Sequence, residues 1–162
     1  MASQEVTIYT DGACLGNPGP GGYAAVLLGG GKRKELSGAF RLTTNNRMEI
    51  MAAIAGLEAL QRPCSAKVYT DSNYLQKSIA LGWARSWKAK GWKKGAGERP
   101  NRDLWDRLLS LCARHEAQFL WVRGHNDDVE NERCDCLAVQ AAQGKDLPAD
   151  TGYESPIEPK LL

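Results

Sequence analysis

Residues 5–11, EVTIYTD, and residues 66–71, AKVYTD, decide the fold. The first alternates apolar and polar side chains, the period of a half-buried strand. The second also reads as a strand, and both close on Tyr-Thr-Asp. As parallel neighbours they would set the carboxylates of Asp11 and Asp71 side by side. They would lie at the carboxyl ends of strands, where open α/β sheets keep their ligand sites.

Outward from the first stretch, GNPGPGG at 16–22 is a dense turn signal. YAAVLL at 23–28 and RKELSGAFR at 33–41 read as two further strands joined by GGG at 29–31, completing an antiparallel meander. After Thr44 the period changes: Ile50, Ile54, Leu57 and Leu60 recur at helical spacing until Arg62-Pro63. Residues 72–92 read as helix with a break near Gly82, and 104–115 as another helix. QFLWVRG at 118–124 is a fifth strand, and 131–143 is the last helix. Strands that alternate with helices imply parallel crossovers. The expected fold is α/β: a five-stranded mixed sheet, antiparallel meander plus parallel strands, flanked by helices. One domain should span 1–162, with a core at about 5–146 and a loose, proline-containing tail at 147–162.

The composition is that of an ordinary globular chain: 162 residues, 43% hydrophobic, 25% charged, net charge +2. No apolar run approaches the length of a membrane span, and the N-terminus does not read as a signal peptide. Five scattered cysteines fit a reduced, cytoplasmic setting better than a disulfide framework. Cys134 and Cys136 resemble a metal pair, but residues two apart on a helix do not face each other.

Two further acids stand near element ends. Glu49 lies in the first turns of the helix after Asn46, and Asp135 in the first turns of the last helix. Each acid has a plain alternative. A strand-end Asp can start a turn. Asn46 and Glu49 could form a capping box. Asp135 could favour a helix N-terminus electrostatically. Together, four carboxylates in one place repel unless a cation neutralises them. Oxygen-only ligands suit a hard ion, Mg²⁺ with Mn²⁺ as a substitute.

Five strings sharpen this. TDGACLGNPGPGGY at 10–23, TTNNRMEIMAAI at 43–54, YTDSNY at 69–74, WVRGH at 121–125 and NERCDCLA at 131–138 resemble, in order, the bacterial-type ribonuclease HI family. The match runs from about residue 5 to 153. The resemblance implies a sheet with the first strand central. It also implies endonucleolytic hydrolysis of RNA paired to DNA, leaving 5′-phosphate and 3′-hydroxyl ends. By the same resemblance, Asp11 matches the aspartate that bridges two metal ions. Glu49 and Asp71 match ligands on the leaving-group side, and Asp135 the ligand on the water side. His125 matches a histidine that assists water activation or product release.

The partner expected is an RNA/DNA hybrid. Residues 83–102, WARSWKAKGWKKGAGERPNR, carry seven Lys or Arg and one Glu. Arg85, Lys88, Lys90, Lys93 and Lys94 could track phosphates, with Trp83 and Trp87 one helical turn apart. Cys14, Gly16, Asn17, Asn45 and Asn46 match the family's contacts to the RNA groove, where the 2′-hydroxyl identifies RNA. Thr44 matches a residue that grips a DNA phosphate; an arginine of some relatives falls on Leu42 here. The loop NDDV at 126–129 is more acidic than the family's, so Asp127 and Asp128 could raise the pKa of His125 or recruit a cation. No dimerisation device stands out, so a monomer is expected.

Overall fold

The computed structural model describes residues 4–123 and 128–155. Three long strands, β1 (Glu5–Cys14), β2 (Gly19–Gly29) and β3 (Lys32–Thr43), form the antiparallel meander. Helix α1 (Asn45–Glu58) follows, then β4 (Ser65–Thr70), α2 (Asn73–Ala80) and α3 (Trp83–Ala89). A short hairpin of β5 (Lys93–Lys94) and β6 (Gly97–Glu98) precedes α4 (Arg102–Arg114), β7 (Glu116–Trp121), α5 (Val129–Ala142) and α6 (Thr151–Glu154). The main sheet has the order β3-β2-β1-β4-β7, with β1 central and β4 and β7 parallel to it.

Alternation along the strands feeds two cores. Ile8, Ala25, Leu27 and Val68 face α1 and α4, where Met48, Ile54, Leu57, Trp105 and Leu108 are buried. Ala24 and Val26 face α5, packing on Cys134 and Ala138, with Tyr9 and Ala13 beside them. Two glycines permit this closeness. A Cβ on Gly12 would stand 2.5 Å from the Glu49 nitrogen and the Met48 carbonyl carbon, and one on Gly22 would collide with the Ala138 carbonyl oxygen. The two helices can therefore lie directly against the strands.

The break expected near Gly82 is there: α2 and α3 are separated by Gly82 at φ 75°, a left-handed conformation that glycine adopts freely. Two other sequence expectations change. The basic stretch after α3 contains the β5–β6 hairpin, too short for any periodicity to reveal. Residues 147–155 are not a loose tail. Arg41 N–H bonds the Pro148 carbonyl at 2.9 Å, the Arg41 side chain pairs with Glu154, and Asp150 is 5% exposed. Prolines and missing periodicity concealed a segment held by charge rather than by apolar packing.

Candidate metal centre and nucleic-acid interface

The acidic centre follows from strand register. β1 and β4 pair in parallel with Glu5 opposite Ser65 and Tyr9 opposite Tyr69. The same offset brings Asp11 level with Asp71, just past the end of β4. Thr10, one residue earlier, ties the strands by donating its hydroxyl to the Tyr69 carbonyl at 2.9 Å. Glu49 arrives from the other direction. Thr44, not Asn46, caps α1, accepting from Arg47 N–H at 3.3 Å. That excludes the capping-box explanation and leaves the Glu49 carboxyl available beside Gly12.

Asp11, Glu49 and Asp71 each offer an oxygen within 4.8 Å of the others, the one such group among the described residues. Asp11 is buried and bonds its own neighbour's N–H, that of Gly12, at 2.9 Å. Burial, then the charge of Asp71, then that of Asp135, pushes Asp11 up to about 8, against the lowering effect of a bond to Glu49. Burial first, and then the charges of Asp11 and Asp71, hold Glu49 well above the usual carboxylate range. Its Oε2 is buried without a hydrogen-bond partner. Such carboxyls hold protons when alone and release them to a divalent ion. An unpartnered oxygen in an all-oxygen donor set suits a hard cation such as Mg²⁺, Mn²⁺ or Ca²⁺.

Asp135 stands farther out. It is half-buried on the second turn of α5 and acts on Asp11 through its charge, but is not one of the three clustered acids. The first turn of α5 carries Glu130 and Glu132 instead, so the helix-terminus explanation for Asp135 fails. Asp128 caps that helix, accepting from Glu130 and Asn131 N–H at 3.1 and 3.2 Å. The acidic loop therefore has one architectural residue that sequence reading missed. His125 and Asp127 lie outside the described residues.

A second cluster adjoins the acids. The Cys14 thiol donates to the carbonyls of Gly19 and Thr43, both at 3.4 Å, and Asn45 N–H donates to Asn17 Oδ1 at 3.3 Å. Gly16, at φ 92°, turns the loop between them. The structure thus gathers Cys14, Gly16, Asn17, Thr44 and Asn45, with Asn46 exposed on the next helical position. The tryptophan pair divides. Trp87 packs between Tyr74 and Trp105, with the Arg99 guanidinium 4.8 Å from its ring, whereas Trp83 is 41% exposed. Arg85, Lys90, Lys93 and Lys94 are exposed, and Lys88 pairs with Asp106 at 2.9 Å. Sequence reading also missed Trp121, whose indole N–H bonds the Asp71 carbonyl at 3.0 Å.

Residues 3–143 match the family model described as RNase H. A "Ribonuclease H" of Syntrophus aciditrophicus is 64% identical over 93% of this chain and 87% of its own length. The solved structure of LC9-RNase H1, described as a type 1 RNase H with the type 2 active-site motif, superposes with a TM-score of 0.79 at 31% identity, covering 88% of this chain and 74% of that one. LC11-RNase H1 in complex with an RNA/DNA hybrid superposes at 0.64 with 26% identity, over 85% and 96% of the two chains.

Proposed function

The chain belongs to the ribonuclease H family, and from that premise we propose how its residues carry out the family's reaction. It is a nuclease that cuts the RNA strand of RNA/DNA hybrids endonucleolytically. The family is dependent on divalent metal, and the observation that carries the reading is the trio of buried Asp11 with half-buried Glu49 and Asp71, and the orphaned Glu49 Oε2. Mg²⁺ is the proposed ion, held by those three with Asp135 completing the site toward the attacking water. Two such ions, held by these carboxylates, would supply charge to both the attacking and the leaving oxygen.

The chain's own residues do the rest. Asp11, central in the sheet, would serve both halves of the site, with Glu49 and Asp71 on the leaving side. His125 would carry or shed a proton near neutral pH. Asn17, Asn45 and Asn46, with backbone near Cys14 and Gly16, would read the 2′-hydroxyl and so separate RNA from DNA. Thr44 would hold a DNA phosphate. Arg85, Lys88, Lys90, Lys93 and Lys94, with the exposed Trp83 and the edge of Trp87, would hold the DNA strand along the protrusion. No helix among the described residues is long and apolar enough to cross a membrane. We further propose that the chain is one catalytic domain over 1–162 and acts as a cytoplasmic monomer.

A labelled hybrid tests this directly. Cleavage of the RNA strand should require Mg²⁺, stop with EDTA, and be nearly abolished in Asp11→Asn. Equal cutting of single-stranded RNA or duplex DNA would contradict it.

A further inference from the structure

Arg47 is an unusual companion for a metal centre. It lies on α1 between Asn46 and Glu49 and is 3% exposed. Its guanidinium donates to both oxygens of Asp150, at 2.7 and 2.9 Å, and to both oxygens of Asp103, at 2.9 and 2.7 Å. Asp103 belongs to the first turn of α4 and is half exposed. Asp150 comes from the segment before α6, is 5% exposed, and takes a third bond from the Thr43 hydroxyl at 2.7 Å.

One carboxylate is enough to neutralise Arg47. A second, buried one adds a desolvation cost that charge balance does not require. What Asp150 adds is geometry. It bonds the last residue of β3 and the third residue of α1 at once, and so fixes the corner between them. That corner contains Thr44 and opens onto Asn45 and Asn46. Its Thr43 carbonyl also receives the Cys14 thiol. Glu49 follows two residues after Arg47.

We propose that Asp150 is a positioning residue for hybrid recognition: acting through Arg47 and Thr43, the C-terminal segment sets the corner that aims Asn45 and Asn46 at the RNA strand and Glu49 at the acid cluster. This rests on the reading of that cluster as the catalytic centre. A tie that merely stabilises would leave substrate discrimination untouched in any variant that is folded. A positioning tie would not.

The test is Asp150→Asn in the full-length protein, assayed at a temperature where urea titration shows it folded. Loss of alignment of this kind predicts a fall in kcat/KM of roughly tenfold or more, carried mainly by KM. The diagnostic readout is a set of hybrids with single 2′-deoxy substitutions near the cut. The wild-type protein should lose activity where a contacted hydroxyl is missing, and Asp150→Asn should lose proportionally less. Thr43→Val, which keeps every charge, should shift both readouts in the same direction, and it decides the matter if Asp150→Asn fails to fold. Glu154→Gln, which removes the exposed pair with Arg41 on the same segment, should leave both unchanged. Folded Asp150→Asn with wild-type KM and an undiminished deoxy penalty overturns the proposal. Asp11→Asn run alongside separates the two readings: if it stays active, the catalytic assignment fails, whereas if it is dead and Asp150→Asn is normal, only the positioning role fails.

Discussion

Gly12→Ala is the substitution for which the structure yields a worked consequence. Gly12 sits in β1 directly after Asp11, under the start of α1. An added Cβ would be 2.5 Å from the Glu49 nitrogen, 2.5 Å from the Met48 carbonyl carbon and 2.8 Å from the Met48 Cβ. Optimal contacts between such atoms lie at about 3.5–4.0 Å, so the helix must retreat by roughly 1 Å. Two of the three obstructing atoms are backbone, so no rotamer change relieves the clash. The retreat carries Glu49 away from Asp11 and Asp71. Overpacking of this kind costs about 1–3 kcal/mol of stability. A displacement near 1 Å at a catalytic constellation costs on the order of 10²-fold in rate, about 2.7 kcal/mol of transition-state stabilisation. The assay is single-turnover cleavage of a labelled hybrid across a Mg²⁺ titration, at a temperature where urea titration shows the variant folded. A fall of about this size is expected, with more Mg²⁺ needed for half-maximal rate. A folded variant within a few-fold of the wild type, with an unchanged Mg²⁺ curve, would refute the claim that the helix–strand spacing sets the metal centre.

Three other outcomes follow from the charges. Asp11 is held near 8, above its value in the unfolded chain, so the metal-free protein should lose stability as pH rises from about 4 through 8. Asp11→Asn should therefore be the more stable protein in EDTA at pH 8, by up to a few kcal/mol, and the gap should close toward pH 4; urea midpoints at both pH values measure it. His115 is shifted the opposite way: burial first, and then the Arg114 charge, hold its imidazole below the usual value, and its Nδ1 accepts from Cys64 N–H at 3.1 Å. Its contribution should be complete above about pH 6.5 and decline below it, so His115→Asn should show a smaller loss of stability between pH 7.5 and 5 than the wild type. Lys93→Ala with Lys94→Ala should weaken hybrid binding and flatten its dependence on log salt by about two units, leaving turnover at saturating hybrid unchanged.

The strands of the main sheet and the alignment of Asp11 with Asp71 were readable because each leaves a local trace. The period in EVTIYTD marks β1, and the shared Tyr-Thr-Asp endings anticipate the register that aligns Asp11 with Asp71. Glu49 was harder, since Asn46 offered it a role as a capping partner; only the position of Thr44 at the cap removes that role. Arg47 and Asp150 were illegible for a different reason. They are 103 residues apart, neither sits in a periodic pattern, and Asp150 belongs to a proline-flanked stretch that gives no local signal of order. Trp121 and Asp128 lay inside or beside recognised strings, but their bonds to the Asp71 carbonyl and to the start of α5 depend on a third dimension that spacing does not encode.

The same corner of the fold holds both unfavourable and favourable charge. Asp11, Glu49 and Asp71 crowd together at a cost that the chain alone does not offset, as the raised pKa of Asp11 records. Two residues before Glu49, Arg47 draws in Asp103 and Asp150, each through two hydrogen bonds. If Arg47 served only to offset the acids, it would face them; instead all its charge is spent on the side toward α4 and the C-terminal segment. The acids therefore keep their need for a cation, while α1 is pinned from behind so that their repulsion cannot push it off the sheet. Gly12 acts from the front, by letting the helix approach. The position of Glu49 is thus set by a close contact on one side and a charged tie on the other. Loosening either should raise the metal requirement even though neither residue touches the metal.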